Sequence, residues 1–432
     1  MKRIGFVSMP FMGHLNPMSA LARILQSRGH DVIFIGIPDV GPIVHAANLK
    51  FASYCEKEFP KGSMAEAFAP LARLHGMEAL QFISKKIVPS LDTAALENLT
   101  GRLAETGVQA LVLDMGHRFL GLVPMSLNIP YVQIWNGLHI DGSGSTAPPF
   151  VSWPYEATPE ARARNIEILK RVGAIVSPIF EVAKPFAQRT GLQIDWSKPT
   201  TTDSRLAIIT QTPKEFDLPG FPAPANFIYA GPFHDGDGRE KVSFPWEKLT
   251  GKPLIYASLG SLVNGLDHVY KAVLGAVEKI PEVQVVLSVG ENLNPDDLGK
   301  IPSNVIIVRS APQIELLKIA ELCITHAGLN TALEALGKGV PMVAIPIGFD
   351  QPGVAARIAH HGAGEFVELE NLTMERLLEL IRKVLENPSY RDRACYFQTL
   401  IAKTRGLEVA AEAIERAFDL RPAIVASTQN QA

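Results

Sequence analysis

What most limits the folds open to this chain is a rhythm: short runs of β-branched and other apolar residues, each separated from the next by a stretch of helical length. Arg3–Met9, Asp31–Ile37, Ala110–Asp114, Pro130–Trp135, Arg205–Gln211 and Asn226–Ala230 set it in the first half. Pro253–Leu259, Val283–Val289, Val305–Val308, Leu322–Ile324 and Pro341–Ile345 repeat it in the second. A run that is apolar throughout buries both faces of its strand, and parallel neighbours need a crossover, usually a helix, to join them. The pattern predicts parallel α/β layers built twice. A chain of 432 residues also exceeds the roughly 250–300 residues at which single cores stop growing. Two Rossmann-like domains are therefore expected, residues 1–234 and 251–389. Between them His234–Lys248, opening on HDGDGREK, is rich in glycine and charge, so residues 235–250 read as an exposed linker. Residues 421–432 read as a loose polar tail.

Composition removes several classes of function. Charged residues make up 20% of the chain and the formal net charge is -3, so no nucleic-acid surface is indicated. Cys55, Cys323 and Cys395 lack metal-ligand spacing and imply no disulfide framework, which suits a reducing compartment and predicts a cytoplasmic location. The start, with Lys2–Arg3, an apolar stretch and Ala20–Leu21–Ala22, imitates a secretory leader. Pro10, Gly13, His14, Asn16 and Pro17 interrupt it, and a strand at Arg3–Met9, a glycine loop and a helix at Pro17–Ser27 account for all of them. No run reaches the 18 or so apolar residues of a spanning helix, leaving at most peripheral contact with a membrane.

The polar residues of Ala311–Gln351 fall where an open α/β sheet offers atoms to a ligand. Leu322–Ile324 reads as a buried strand, Thr325–Leu329 as a loop carrying His326 and Gly328, and Thr331–Leu336 as the following helix. Free backbone N–H groups at such a helix start favour an anion by about 0.3–1 kcal/mol, and a diphosphate fits there. Asn330 and Thr331 are equally residues that cap their own helix. Glu334 lies one turn beyond Asn330, where it can accept from ribose hydroxyls, and Asp350 and Gln351, just past Pro341–Ile345, can hold sugar hydroxyls.

Together these positions resemble the nucleotide-sugar signature of family 1 glycosyltransferases, which move a sugar from a uridine diphosphate sugar to a small-molecule hydroxyl. The match comprises Ala311–Gln313, Thr325–Thr331 as T-H-x-G-x-N-T, Glu334, Gly339–Pro341 and Asp350–Gln351. The continuation Pro352–Gly364 is similar to the bacterial branch that includes carotenoid (zeaxanthin) glucosyltransferases. Plant members open the signature with a Trp that stacks on uracil; Ser310 stands there in this chain, which leaves the donor base open between uracil and thymine.

The resemblance implies a GT-B fold, two Rossmann-like domains facing one another across a cleft, with the C-terminal helices of residues 390–420 crossing back to the first domain. It places the acceptor in the N-terminal domain and the UDP-sugar, a co-substrate, on the C-terminal one. His14, in FMGHLNP after the first strand, is implied to be the general base of an inverting transfer, since a neutral imidazole can take the acceptor proton near pH 7. Asp114, at the end of Ala110–Asp114, is implied to hold the other ring nitrogen, although an Asp there can also cap the next helix. Ser261, after Ser258–Gly260, resembles the family's phosphate-contacting turn, and Asn136 matches a sugar-contacting position. Ala311, Gln313, His326, Gly328, Asn330, Thr331, Glu334, Asp350 and Gln351 complete the implied donor site. His117 has no counterpart in the pattern and reads as a supporting or surface residue.

No metal is expected. Asp235–Gly236–Asp237 spells the D-x-D of an unrelated metal-dependent class, but in a glycine-rich linker rather than at a strand end. Residues 68–88 and 138–155 carry Phe, Met, Leu and Trp and are expected either to line a pocket for a small apolar hydroxylated acceptor or to be ordinary core. A sugar-nucleotide epimerase of the same architecture and a non-catalytic nucleotide-sugar-binding protein are the competing readings. Only a transferase makes a glycoside and releases the nucleoside diphosphate.

Overall fold

The computed structural model describes residues 2–198, 200–234 and 242–420. The chain forms a parallel sheet in each half. The first contains β1 (Arg3–Val7), β2 (Asp31–Gly36), β3 (Lys50–Ser53), β4 (Ala110–Asp114), β5 (Tyr131–Trp135), β6 (Ile208–Thr210) and β7 (Phe227–Tyr229), in the order β3-β2-β1-β4-β5-β6-β7. The second contains β8 (Leu254–Ser258), β9 (Gln284–Ser288), β10 (Val305–Val308), β11 (Ala320–Thr325), β12 (Met342–Ala344) and β13 (Gly364–Phe366), in the order β10-β9-β8-β11-β12-β13. These are two α/β lobes of Rossmann-like topology facing a cleft, the GT-B architecture.

Why the strands look uniformly apolar is clear in the second lobe. Ile255 and Ala257 enter one apolar core while Leu254 and Tyr256 enter another on the opposite face of β8; Leu322 and Ile324 are likewise separated from Cys323 on β11. Helices cover both faces, so both are built mainly from apolar side chains. Strand order reverses between β1 and β4 and again between β8 and β11. Such switch points open a crevice at the carboxyl ends of the strands, where ligands of open α/β sheets bind.

The lobes are tied in several places. Leu138 and Phe216, from connections of the first lobe, are buried in a core of the second. Arg357, in the Gln351–His360 helix, donates from Nε and Nη2 to Asp217 Oδ1 at 3.1 and 2.7 Å, while Tyr229 donates to Oδ2 at 2.6 Å. Near the end of the chain, Pro388–Thr404 packs on the Leu329–Gly337 helix and Gly406–Ala417 on the Met12–Ser27 helix. There Glu415 accepts from Arg28 at 2.8 Å and pairs with His30 at 2.9 Å.

Candidate active site

Strand register builds the first half of the site. Val7 on β1 pairs with Leu113 on β4, so the next residues, Ser8 and Asp114, leave the sheet side by side. The Asp114 side chain is 0% exposed and bonded on both oxygens. Its Oδ2 accepts from Ser8 Oγ at 3.0 Å, Met9 N–H at 3.1 Å and His14 Nδ1 at 2.7 Å, and Oδ1 accepts from Gly116 N–H at 2.8 Å. Burial pushes this carboxyl up, but the His14 charge and hydrogen bond, the Gly116 N–H and His117 outweigh it and hold it at about 2. His14, 28% exposed, feels burial in the opposite sense. Burial lowers it, yet Asp114, with a contribution from Asp350, lifts it above the ordinary 6.5. With Nδ1–H donated to Asp114, Nε2 carries the free lone pair.

His14 does not sit in a loop. The helix expected from Pro17 begins at Met12, so His14 lies in its first turn. Pro17 is thus inside the helix, where it has no N–H to give to the carbonyl of Gly13 four residues back. That carbonyl accepts from Asn330 Nδ2 of the other lobe at 2.7 Å. Asn330 Oδ1 in turn accepts from Gln211 Nε2 at 2.8 Å, and the same Nε2 donates to the Asn136 carbonyl at 2.5 Å. The expected capping by Asn330 and Thr331 is not seen, because the helix starts at Leu329 with Gly328 as a cap that has no side chain.

In the second lobe the turn after β8 and the loop after β11 enclose His326. Gly260, at φ +77°, and Gly328 seat its ring: a Cβ at either would lie 2.6 or 2.5 Å from ring atoms. Burial pulls His326 down to about 4 against a hydrogen bond to the Ser258 backbone, so the ring is neutral at pH 7 and offers a hydrogen bond rather than a charge. Its Nδ1 has no partner among the described residues. Ser261 stands exposed beyond the Gly260 turn.

Gln313, at the start of its helix beside partly buried Ala311, donates from Nε2 to Glu334 Oε2 at 2.6 Å and to Thr331 Oγ1 at 3.4 Å, and accepts from Tyr256 OH at 3.0 Å. His234, the last described residue before the linker, has Nδ1 3.6 Å from Glu334 Oε1. Asp350 reaches across the cleft, where Oδ2 accepts from Leu138 N–H at 2.9 Å. Gly137 permits this approach, since a Cβ there would lie 2.8 Å from the carboxylate. Burial raises the Asp350 carboxyl despite Leu138 N–H and His14. Gln351 Oε1 is used internally, accepting from Ile347 N–H at 2.9 Å and Gly348 N–H at 3.0 Å. The Asn136 amide is buried, with neither side-chain atom partnered among the described residues.

The structure thus brings His14, Asp114, Asn136, Asn330 and Asp350 to one cleft, with Gln313, Thr331 and Glu334 in a second cluster along the Leu329–Gly337 helix. A small apolar cavity beside Asp350 is lined by Met77, Leu80, Phe150, Phe349 and Pro352. Sequence reasoning missed Gln211, Asp92 and His234; the end of the run Arg205–Gln211, a carboxyl edge of the first sheet, marked the first. Among the described residues no group of three or more His, Cys, Asp or Glu is placed to hold a metal ion, and no helix is long and apolar enough to cross a membrane. Asp235–Asp237 lies outside the described residues.

Comparison with known proteins agrees with this geometry. The family described as "UDP-glucoronosyl and UDP-glucosyl transferase" matches residues 219–408. Zeaxanthin glucosyltransferase of Pantoea ananas is 27% identical over 96% of this chain and 96% of its own. The chain is a glycosyltransferase of GT-B fold. The enzyme is related to several bacterial sugar transferases: demethyllactenocin mycarosyltransferase of Streptomyces fradiae is 26% identical over 96% of this chain and 86% of its own. Its fold is shared with the crystal structure of the kitacinnamycin glycotransferase, at TM-score 0.71 and 22% identity over 97% and 99% of the two chains.

Proposed function

We propose that the enzyme transfers a hexose, glucose foremost, with inversion from a UDP-sugar to a hydroxyl of a small apolar acceptor, with His14 as general base and Asp114 as its orienting partner. The observation that carries this is the 2.7 Å bond from His14 Nδ1 to a fully buried Asp114, which fixes the tautomer with Nε2 as the proton acceptor. As the acceptor oxygen attacks the anomeric carbon, its proton passes to Nε2 and the bond to the diphosphate breaks. Asp114 steadies the imidazolium that forms. The departing diphosphate is received by the N–H groups at the start of the Leu329–Gly337 helix, with neutral His326 lining the loop beside it.

In this reading Glu334 takes the ribose, with Gln313 and Thr331 alongside. Ser261, Ala311, Gly328 and Asn330 border the diphosphate and base, and Asp350, Gln351 and the buried Asn136 amide serve the sugar. Residues 1–234 form the acceptor domain and residues 251–389 the donor domain, joined by 235–250. Placement nearest the carotenoid glucosyltransferases rests on Pro352–Gly364 and on the likeness to zeaxanthin glucosyltransferase. The test is an acceptor panel of hydroxylated carotenoids, macrolides and simple phenols with UDP- and TDP-glucose, read by mass spectrometry. A glycoside plus free nucleoside diphosphate supports the assignment. An epimerised sugar nucleotide, or no product with any pair, overturns it.

A further inference from the structure

Behind the His14–Asp114 pair lies a second, deeper one. His117 and Asp92 are each 2% exposed, and His117 Nδ1 is 2.7 Å from Asp92 Oδ1. Asp92 sits on the Val88–Thr106 helix; His117 follows β4 by three residues, its backbone N–H bonded to the Asp114 carbonyl at 3.1 Å. The His117 ring also bonds the Ser8 backbone, and Ser8 Oγ donates to Asp114. The His117 ring therefore has a carboxylate at Nδ1 and the Ser8 main chain as a further acceptor. A neutral imidazole has one N–H and can satisfy one of them; an imidazolium satisfies both.

We propose that His117 is a resident cation of the catalytic centre and a positioning residue for the base: pinned between Asp92 and Ser8, it shares Asp114 with His14 and so keeps His14 neutral, and able to accept a proton, closer to neutral pH. The proposal rests on the reading of His14 as the base. A lone buried carboxylate at 2.7 Å would hold a proton on His14 and consume the base before acceptor arrives; a second cation near the same carboxylate opposes that. The groups involved are few. Asp92 and Asp114 face His117 from the Val88–Thr106 helix and β4, and Tyr54, beyond β3, senses the Asp92 charge. Around His14 the charged groups are Asp114 and, from across the cleft, Asp350. Burial disfavours the charged form of His117, yet the bond to Asp92 and the charges of Asp92 and Asp114 outweigh it and raise its pKa.

The experiment is the pH dependence of kcat/KM for the acceptor in the native enzyme, Asp92→Asn and His117→Gln. Asp92→Asn keeps an oxygen for Nδ1–H but removes the charge that holds the imidazolium. The expected result is an acid limb moved to higher pH, with activity at pH 6 falling roughly 10-fold more than at pH 9, the change that one unit of limb shift produces. A merely structural pair would scale the whole profile down and leave the limb in place, which overturns the proposal. Should the variants fail to fold, ring-nitrogen NMR of ¹⁵N-histidine-labelled native enzyme decides. Both His117 nitrogens protonated at pH 8 support it; a neutral ring beside a protonated Asp92 overturns it. His14→Gln separates the two readings. If the acid limb persists in that variant, His14 is not the base; if the limb depends on His14 but ignores Asp92→Asn, His117 alone has been misassigned.

Discussion

At the scale of single residues, His14 and Asp114 stood out in the sequence as candidates for base and partner because one follows and the other closes an apolar run at a carboxyl edge of the first sheet. His14→Ala should lower glycoside formation by at least ~10²-fold with donor binding nearly unchanged, and comparable loss of UDP affinity would contradict the role. Asp114→Asn should cut the rate less and move the acid limb to lower pH, because the native carboxylate raises His14 and a group raised on folding stays protonated to higher pH. A limb that stays put, measured by kcat/KM for the acceptor, would deny Asp114 that influence. Glu334→Ala should weaken UDP and UDP-sugar alike, and unchanged UDP affinity by calorimetry would remove Glu334 from the ribose. What sequence did not reveal was what each side chain already holds. Gln351 Oε1 is occupied by Ile347 and Gly348, and Asn330 by Gly13 and Gln211, partners up to 317 positions distant.

Elements were legible where they are buried and long, and least so at the sheet edges. The central strands announce themselves as unbroken apolar runs, whereas β3, Lys50–Ser53, is half exposed, and β13 spans only Gly364–Phe366; neither was anticipated. The Met12–Ser27 helix was read as starting at Pro17 because proline favours a first turn. It tolerates Pro17 inside because the carbonyl that proline cannot serve, Gly13, receives its donor from Asn330. This joins the turn that carries His14 to the start of the Leu329–Gly337 helix. Asn330→Ala should therefore lower kcat by roughly 3–10-fold, the worth of about one hydrogen bond, while UDP affinity changes less than ~2-fold. Pro17→Ala, which restores a competing intrahelical N–H, should act in the same direction and combine with Asn330→Ala less than additively. An Asn330→Ala enzyme with native kcat but at least ~10-fold weaker UDP binding would make Asn330 a diphosphate ligand instead of a tether.

At the scale of the whole molecule, repetition of the strand rhythm revealed that there are two lobes but not how they are cemented, because Asp217 and Arg357 are 140 positions apart and each looks ordinary in sequence. Their side chains are 3% and 2% exposed. Burial pushes the Asp217 carboxyl up, but His139, Arg357 and Tyr229 together hold it far below its ordinary 3.8. A carboxyl depressed on folding contributes stability above its unfolded value and loses it as pH falls toward the folded one, so this tie is intact from about pH 4 upward. Removing Arg357 leaves Asp217 a buried charge with Tyr229 and His139 still beside it, and Arg357→Ala should therefore cost about 3–5 kcal/mol at pH 7. Replacing both, as in Asp217→Leu with Arg357→Met, should cost far less than twice that, because neither variant side chain leaves a charge behind. Urea unfolding followed by far-ultraviolet circular dichroism measures both. Because the pair spans the lobes, Arg357→Ala should also split a shared transition into two; a loss under ~1 kcal/mol with one unsplit transition would show that Leu138, Phe216 and the Gly406–Ala417 helix hold the lobes together without it.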